Sequence, residues 1–325
     1  MNLRDLISQL QQAPGILGKR DIQTAASRLS RFGPSKAAMS THPDVAPGDD
    51  CAAIPDGEGY LLLAAEGMLP QFVSEEPWFA GWCSVMVNVS DVYAMGGRPI
   101  AVVDALWSQT LEASKPIWEG MQAAAVAYGV PIVGGHSNCS SAYEGLAVAI
   151  LGRAQALLTS FSAQPGDTLI VAVDLRGRFF RHYPFWNAAT GADGARLRGD
   201  LALLPTLAEQ GLCRTAKDIS MGGLVGTLLM LMETSGCGAV LDLDGVPRPD
   251  GVDLSQWLTC FPSFGFLLSV PPEQVEAVRQ RFQARDLACE AVGVVMAGRD
   301  VWLQSQGQTA LFWDLEKAPL TGFGP

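Results

Sequence analysis

The 325-residue chain is poor in basic charge, in paired cysteines and in long apolar runs. Lys and Arg number 22 against 33 Asp and Glu, a formal net charge of −11, and no basic cluster interrupts the acidic background. Binding a nucleic-acid backbone requires grouped cations to neutralise phosphates, so no nucleic-acid partner is expected. No apolar run reaches the roughly 20 residues of a membrane span, so no membrane partner is expected either. The opening Met1-Asn2-Leu3-Arg4-Asp5-Leu6 carries acid and amide groups where a secretory signal has an apolar core. The seven cysteines contain no CxxC pair and are odd in number. That usage fits reduced thiols in a cytoplasmic protein better than zinc or a disulfide framework.

What is present is enough to build a core. A hydrophobic content of 48% with 17% charged residues excludes a largely disordered chain. The length favours two domains. Apolar spacing at Leu3, Leu6, Ile7 and Leu10 predicts a helix, and a second is expected over 22–29. Strands are expected over 60–65, 99–105, 132–133 and 146–151, with helices over 77–95 and 115–128 between them. A turn at Pro165-Gly166-Asp167 precedes a strand over 168–173. Beyond it, helices over 201–209, 222–234 and 273–285 interleave with strands over 239–243, 264–270 and 291–295. The alternation favours an α+β fold with α/β-type layers. The expected division is a helical segment over 1–40, a first domain over 41–160 and a second over 161–325.

Three acidic patches lie among small residues: Gly48-Asp49-Asp50-Cys51, Asn88-Val89-Ser90-Asp91 and Lys217-Asp218-Ile219-Ser220. Carboxylates at tight turns suit hard cations such as Mg²⁺, which take oxygen ligands and often a substrate phosphate. Asn88 and Asp91, three apart on one helix, share a face that could meet a ligand or could be a solvated stripe. Asp49 and Asp50 could equally end a turn, and Asp218 could cap the helix that follows. Lys19, after Gly15 and Gly18, could reach a phosphate or lie on the surface beside a helix. His136 could titrate near neutrality and orient a substrate, or donate one hydrogen bond within a Gly-rich turn. The cations and aromatics between Arg176 and Trp186 could recognise an anion or form a solvated loop.

In order, Gly48-Asp49-Asp50-Cys51-Ala52-Ala53-Ile54, Asn88 to Pro99, Val133-Gly134-Gly135-His136-Ser137 and Asp218-Ile219-Ser220-Met221-Gly222-Gly223-Leu224 resemble signatures of one superfamily. It is that of aminoimidazole ribonucleotide (AIR) synthetase, with formylglycinamidine ribonucleotide synthetase, selenophosphate synthetase and thiamine monophosphate kinase. The overall pattern is most similar to its AIR synthase-related branch. The resemblance implies a two-domain fold, with an N-terminal sheet that forms a barrel with a second subunit of a homodimer and a C-terminal α/β domain. It implies that ATP is bound with Mg²⁺ beside a small-molecule substrate. Asp49, Asp50, Glu66, Asp91 and Asp218 would hold metal, and Asn88, Gly134, Gly135 and Lys217 would contact the nucleotide. Asp91, His136 and Lys19 would act in catalysis.

Departures narrow the choice. Glu66 stands where relatives usually carry Asp, and His136 stands where the thiamine kinase pattern has Asp. Met221 replaces the second Asp of the kinase form, and Pro262-Ser263-Phe264-Gly265-Phe266 takes the place of its late signature. Thiamine monophosphate phosphorylation is therefore disfavoured. Selenophosphate synthesis lacks its nucleophile, because Ile16 and Leu17 occupy the loop before Lys19. The expectation is an Mg²⁺- and ATP-dependent phosphotransferase or synthetase of unidentified acceptor. The alternative is a non-catalytic, regulatory ATP-binding dimer.

Overall fold

The computed structural model describes residues 2–24 and 47–324. The helix expected over 22–29 falls largely, and the boundary expected at residue 40 wholly, outside the described residues. The chain separates into two compact units. One is Asp50–Leu157 with Gly191–Thr206; the other is Met1–Asp49, Leu158–Thr190 and Leu207–Pro325.

The unit that begins at Asp50 is built on a five-stranded sheet. Its strands are β1 (Ala52–Asp56), β2 (Gly59–Met68), β3 (Arg98–Trp107), β4 (Ile132–Asn138) and β5 (Gly145–Ala154), in the order β1-β2-β5-β3-β4. Strand β4 runs parallel to β3, and the other pairs are antiparallel. Side chains alternate across the pleat, so Leu62 and Ala64 of β2, Val102 and Leu106 of β3, and Leu146, Val148 and Ile150 of β5 are buried. Their neighbours are not: Leu63 is 46% exposed, Val103 41% and Leu151 36%. The helix Pro77–Ala94 packs on β2 and β5 and is buried on all sides from Phe79 onward, as expected of a core helix that is apolar around its whole circumference.

A second helix, Leu111–Tyr128, covers the first. It starts one turn earlier than the expected position 115, because the Thr110 hydroxyl accepts a hydrogen bond from the Ala113 amide at 3.1 Å and caps it there. The two helices cross backbone to backbone. A Cβ added to Gly81 would lie 2.1 Å from the Ile117 carbonyl oxygen, and one on Gly120 would lie 1.9 Å from that of Trp78. The helix Gly194–Leu201, late in the sequence, belongs to this unit, and Arg198 donates to the Ala127 carbonyl at 2.7 Å.

The other unit holds a seven-stranded sheet ordered β15-β14-β10-β13-β6-β12-β9. These are β6 (Thr168–Val173), β9 (Thr215–Asp218), β10 (Gly238–Asp242), β12 (Gly265–Val270), β13 (Ala288–Met296), β14 (Asp300–Ser305) and β15 (Gln308–Asp314). Only β10 and β14 pair in parallel. The helix Gly223–Ser235 is buried through Thr234. Helix Leu3–Gln11 buries Leu3, Leu6, Ile7 and Leu10, the four residues whose spacing announced it, and Asn2 caps its start. A three-stranded sheet joins β7 (Arg178–Phe179), β8 (Phe185–Asn187) and β11 (Phe261–Pro262). Sheets with helices packed on them are the α+β layering expected from the alternation.

Candidate functional site

In the unit built on β1 to β5, a turn delivers Asp50 to the start of β1 and the core helix delivers Asp91. Their carboxylates offer oxygens within 4.8 Å of each other. Asp91 is 6% exposed and Asn88 is fully buried, so neither belongs to a solvated stripe. Asn88 donates its amide hydrogen to the Ser84 carbonyl at 2.8 Å, which leaves Oδ1 buried and without a hydrogen-bond partner among the described residues. A buried acceptor without a donor costs free energy that a cation or a ligand donor recovers. Two carboxylates with oxygens at this separation form a hard, oxygen-only donor pair of the kind Mg²⁺ takes.

Further along the same sheet, Glu66 of β2 and Asp104 of β3 both pair with Val148 of the intervening β5, so they share one row. Glu66 is exposed. Asp104 is half-buried, burial raises the pKa of its carboxyl, and its Oδ2 finds no partner among the described residues. Sequence reasoning missed Asp104; the signal was a lone acid inside the apolar run Ile100-Ala101-Val102-Val103. Glu144 was missed too: Oε1 accepts from the Gln109 amide at 3.0 Å, while Oε2 is buried without a partner among the described residues.

The segment read as a Gly-rich turn is a strand. Gly134, Gly135 and His136 lie in β4, opposite Val103, Asp104 and Ala105 of β3. Gly135 has a physical reason to lack a side chain, since a Cβ there would lie 2.2 Å from Asp104 Oδ1. The exposed His136 ring has its centroid 6.4 Å from that of Trp107.

In the other unit, Asp49 is a receiving group. Its side chain is 1% exposed, and Oδ2 accepts from the Thr159 hydroxyl at 3.0 Å and the Ser160 amide at 2.8 Å. Lys217, at the end of β9, lies 3.9 Å from Asp49 Oδ1, and both side chains are buried. Asp218 follows Lys217, is 5% exposed, and accepts the Thr227 hydroxyl on its backbone oxygen at 3.1 Å. It does not cap the next helix; Gly222 holds that position without a side-chain bond. Gly15 presses on this motif, because a Cβ there would lie 1.9 Å from the Met221 carbonyl oxygen. Lys19, in the short turn Gly18–Arg20 that follows, is half-exposed.

The segment between Arg176 and Trp186, read as an anion site or a solvated loop, forms the β7–β8 hairpin. Arg176 lies just before it and is committed to the buried Asp174 through bonds of 2.8 and 3.1 Å. No helix among the described residues is long and apolar enough to cross a membrane.

Comparison with known proteins agrees with the two-domain fold. Residues 48–154 match the family model for the N-terminal domain of AIR synthase related proteins, and residues 180–304 match the model for their C-terminal domain. The uncharacterized protein sll0787 of Synechocystis is 55% identical over 99% of this chain and 98% of its own length. Among solved structures, PurL of T. maritima complexed with ATP superposes with a TM-score of 0.70 at 19% identity, over 90% of this chain and 49% of that one. The chain thus spans about half the length of that PurL. AaThiL complexed with AMPPCP and TMP gives a TM-score of 0.64 at 19% identity, over 88% of this chain and 98% of that one. At these identities the two structures establish a shared fold. With both of its domain models matched in order, the chain belongs to the AIR synthase-related family.

Proposed function

We propose that this protein is an Mg²⁺- and ATP-dependent enzyme that phosphorylates or activates a small-molecule acceptor. The observation that carries the reading is the convergence of the Asp50 and Asp91 carboxylates to within 4.8 Å. At that separation two unit charges repel by on the order of 3 kcal/mol at an effective dielectric constant of about 20, a cost that a bound cation turns into attraction. Complexes of the structurally similar PurL with ATP and of AaThiL with AMPPCP support a nucleotide as the anion.

In this reading Asp50 and Asp91 hold the metal, with Glu66 as a further carboxylate of the same unit; in the other unit, Asp218 is a carboxylate offered to a cation and Asp49 keeps the Lys217 ammonium in place. Mg²⁺ held by Asp50 and Asp91 would neutralise charge on the triphosphate. Asn88 orients the metal site through its buried amide, and Lys217 and Lys19, in the other unit, are cations offered to phosphate. Gly134 and Gly135 leave the backbone bare for close approach, and His136 takes or gives the acceptor's proton. Calorimetry with AMPPCP tests the reading. Binding that requires Mg²⁺ is expected, and phosphate release in the presence of ATP and candidate acceptors separates an enzyme from a regulatory binder. No binding with or without Mg²⁺ sinks it.

The homodimer is proposed on a separate observation. A sheet with one face on the core normally turns a polar face to water, yet here Ile54, Leu63, Val103, Val133 and Leu151 are exposed on the strands of one sheet. A second copy of this face is the proposed occupant. Leu63→Lys places a charge opposite Leu151, its cross-strand neighbour, and is expected to convert the dimer to a folded monomer by light scattering. An unchanged mass sinks the sheet-to-sheet interface.

A further inference from the structure

We infer that residues 320–323 form a strap that sets the geometry of the Gly48-Asp49-Asp50 turn. The inference rests on the functional reading above. The strap lies beyond the matched family segments, which end at residue 304. Its anchor is Glu233, 2% exposed near the C-terminal end of the helix Gly223–Ser235. One carboxylate oxygen accepts from the Leu320 and Gly322 amides at 2.8 and 3.2 Å. The other accepts from the Thr321 amide at 2.8 Å and the Thr321 hydroxyl at 2.6 Å. An anion near a helix C-terminus faces an unfavourable dipole, so this carboxylate is stable only because donors surround it. Simple coverage of a core would need only apolar contacts, whereas this clamp fixes where each strap residue sits.

Beyond the clamp the strap meets the acidic turn. Gly48 has φ +116°, and a Cβ built on it would lie 2.6 Å from both Cβ and Cγ of Phe323, so the aromatic side chain is seated directly on the turn. The same helix end reaches Asp49 by a second route. The Ser235 hydroxyl donates to the Ser160 carbonyl at 2.7 Å, the Thr234 hydroxyl shares its one hydrogen between that carbonyl and the Met230 carbonyl, each at 2.8 Å, and Ser160 in turn donates its amide to Asp49. Three consecutive residues, Glu233, Thr234 and Ser235, thus hold the turn from both sides. Held this way, Asp49 faces Lys217, and the next residue in the chain is Asp50, the proposed metal ligand. Phe323 and Glu233 are positioning residues, acting on the proposed site through the Gly48-Asp49 turn.

The experiment compares the wild type, Phe323→Ala, Phe323→Leu and a chain ending at Pro319. Calorimetry with Mg²⁺ and AMPPCP is run beside hydrogen exchange at the amides of 48–51. Phe323→Ala is expected to bind at least tenfold more weakly and to lose protection at 48–51, while protection in the buried strands stays at the wild-type level. Phe323→Leu, which refills the space above Gly48, restores both, a rescue that general loss of stability would not show. Truncation is expected to match or exceed the alanine effect; if it unfolds the chain, the alanine and leucine pair decides alone. Wild-type affinity and protection in Phe323→Ala overturn the inference. Lost protection at 48–51 in a protein whose wild type binds no nucleotide keeps the strap's hold on the turn and overturns the functional reading, and with it the strap's role at a nucleotide site.

Discussion

Asp91→Asn is expected to weaken binding of AMPPCP in the presence of Mg²⁺ by at least a hundredfold, or about 2.7 kcal/mol, and to abolish nucleotide-dependent turnover. The substitution keeps the size and shape of the side chain, which matters because the helix around it is buried from residue 79 to 94. It removes the negative charge that a hard cation requires while leaving an amide that still fills the space. It also removes the repulsion between two carboxylates that approach within 4.8 Å. The ligand-free variant is expected to stay folded and to melt cooperatively, as circular dichroism would show. That combination, a retained fold with lost metal-dependent binding, separates a ligand from a residue needed for folding. Undiminished affinity for Mg²⁺ and nucleotide removes Asp91 from the metal site.

Much of the frame was legible because its signals were local. The helix 77–95 and the strand 168–173 follow from continuous apolar runs bounded by Pro and Gly, and the structure places them at Pro77–Ala94 and Thr168–Val173. The Asp-bearing segments were legible as well, since small residues beside carboxylates form a pattern along the chain. What those carboxylates do was not legible where the partner is distant in sequence. Asp49 and Asp50 look interchangeable as a doublet. Only the fold brings Thr159, Ser160 and Lys217 to Asp49, and Asp91 near Asp50. The glycines of β4 read as a turn because flexibility is the usual local reason for a Gly pair. The actual reason at Gly135 is a carboxylate one strand away. Asp104 drew no attention because a single acid in an apolar strand has no motif, and its significance lies in burial and in the row it shares with Glu66. The helix Gly194–Leu201 shows the same limit on a larger scale, since nothing local says that it packs on residues 71 positions earlier, as the Arg198 contact with Ala127 does.

Gly120→Val is expected to destabilise the protein by about 3 kcal/mol or more, because the helix crossing has no room for a side chain. A Cβ at that position would sit 1.9 Å from the Trp78 carbonyl oxygen, and these are backbone atoms that cannot rotate away as a side-chain tip could. Relief requires the helices Pro77–Ala94 and Leu111–Tyr128 to separate, which opens the contact between Trp82 and Tyr128, whose rings meet at a tilt of 56° with centroids 6.0 Å apart. Separation also shifts the helix that carries Asn88 and Asp91, so the effect reaches the site through the backbone. The stability loss corresponds to a fall of roughly 6 to 12 °C in melting temperature for a unit of this size, readable by circular dichroism. Gly81→Ala provides the matched test, with its Cβ 2.1 Å from the Ile117 carbonyl oxygen on the facing helix. If both variants melt with the wild type, the crossing is looser than the backbone contacts require and the core helix is free to move. If both lose stability and Mg²⁺-dependent binding together, the glycine contact is what fixes Asp91 against the start of β1, and the metal site is a property of helix packing as much as of the carboxylates.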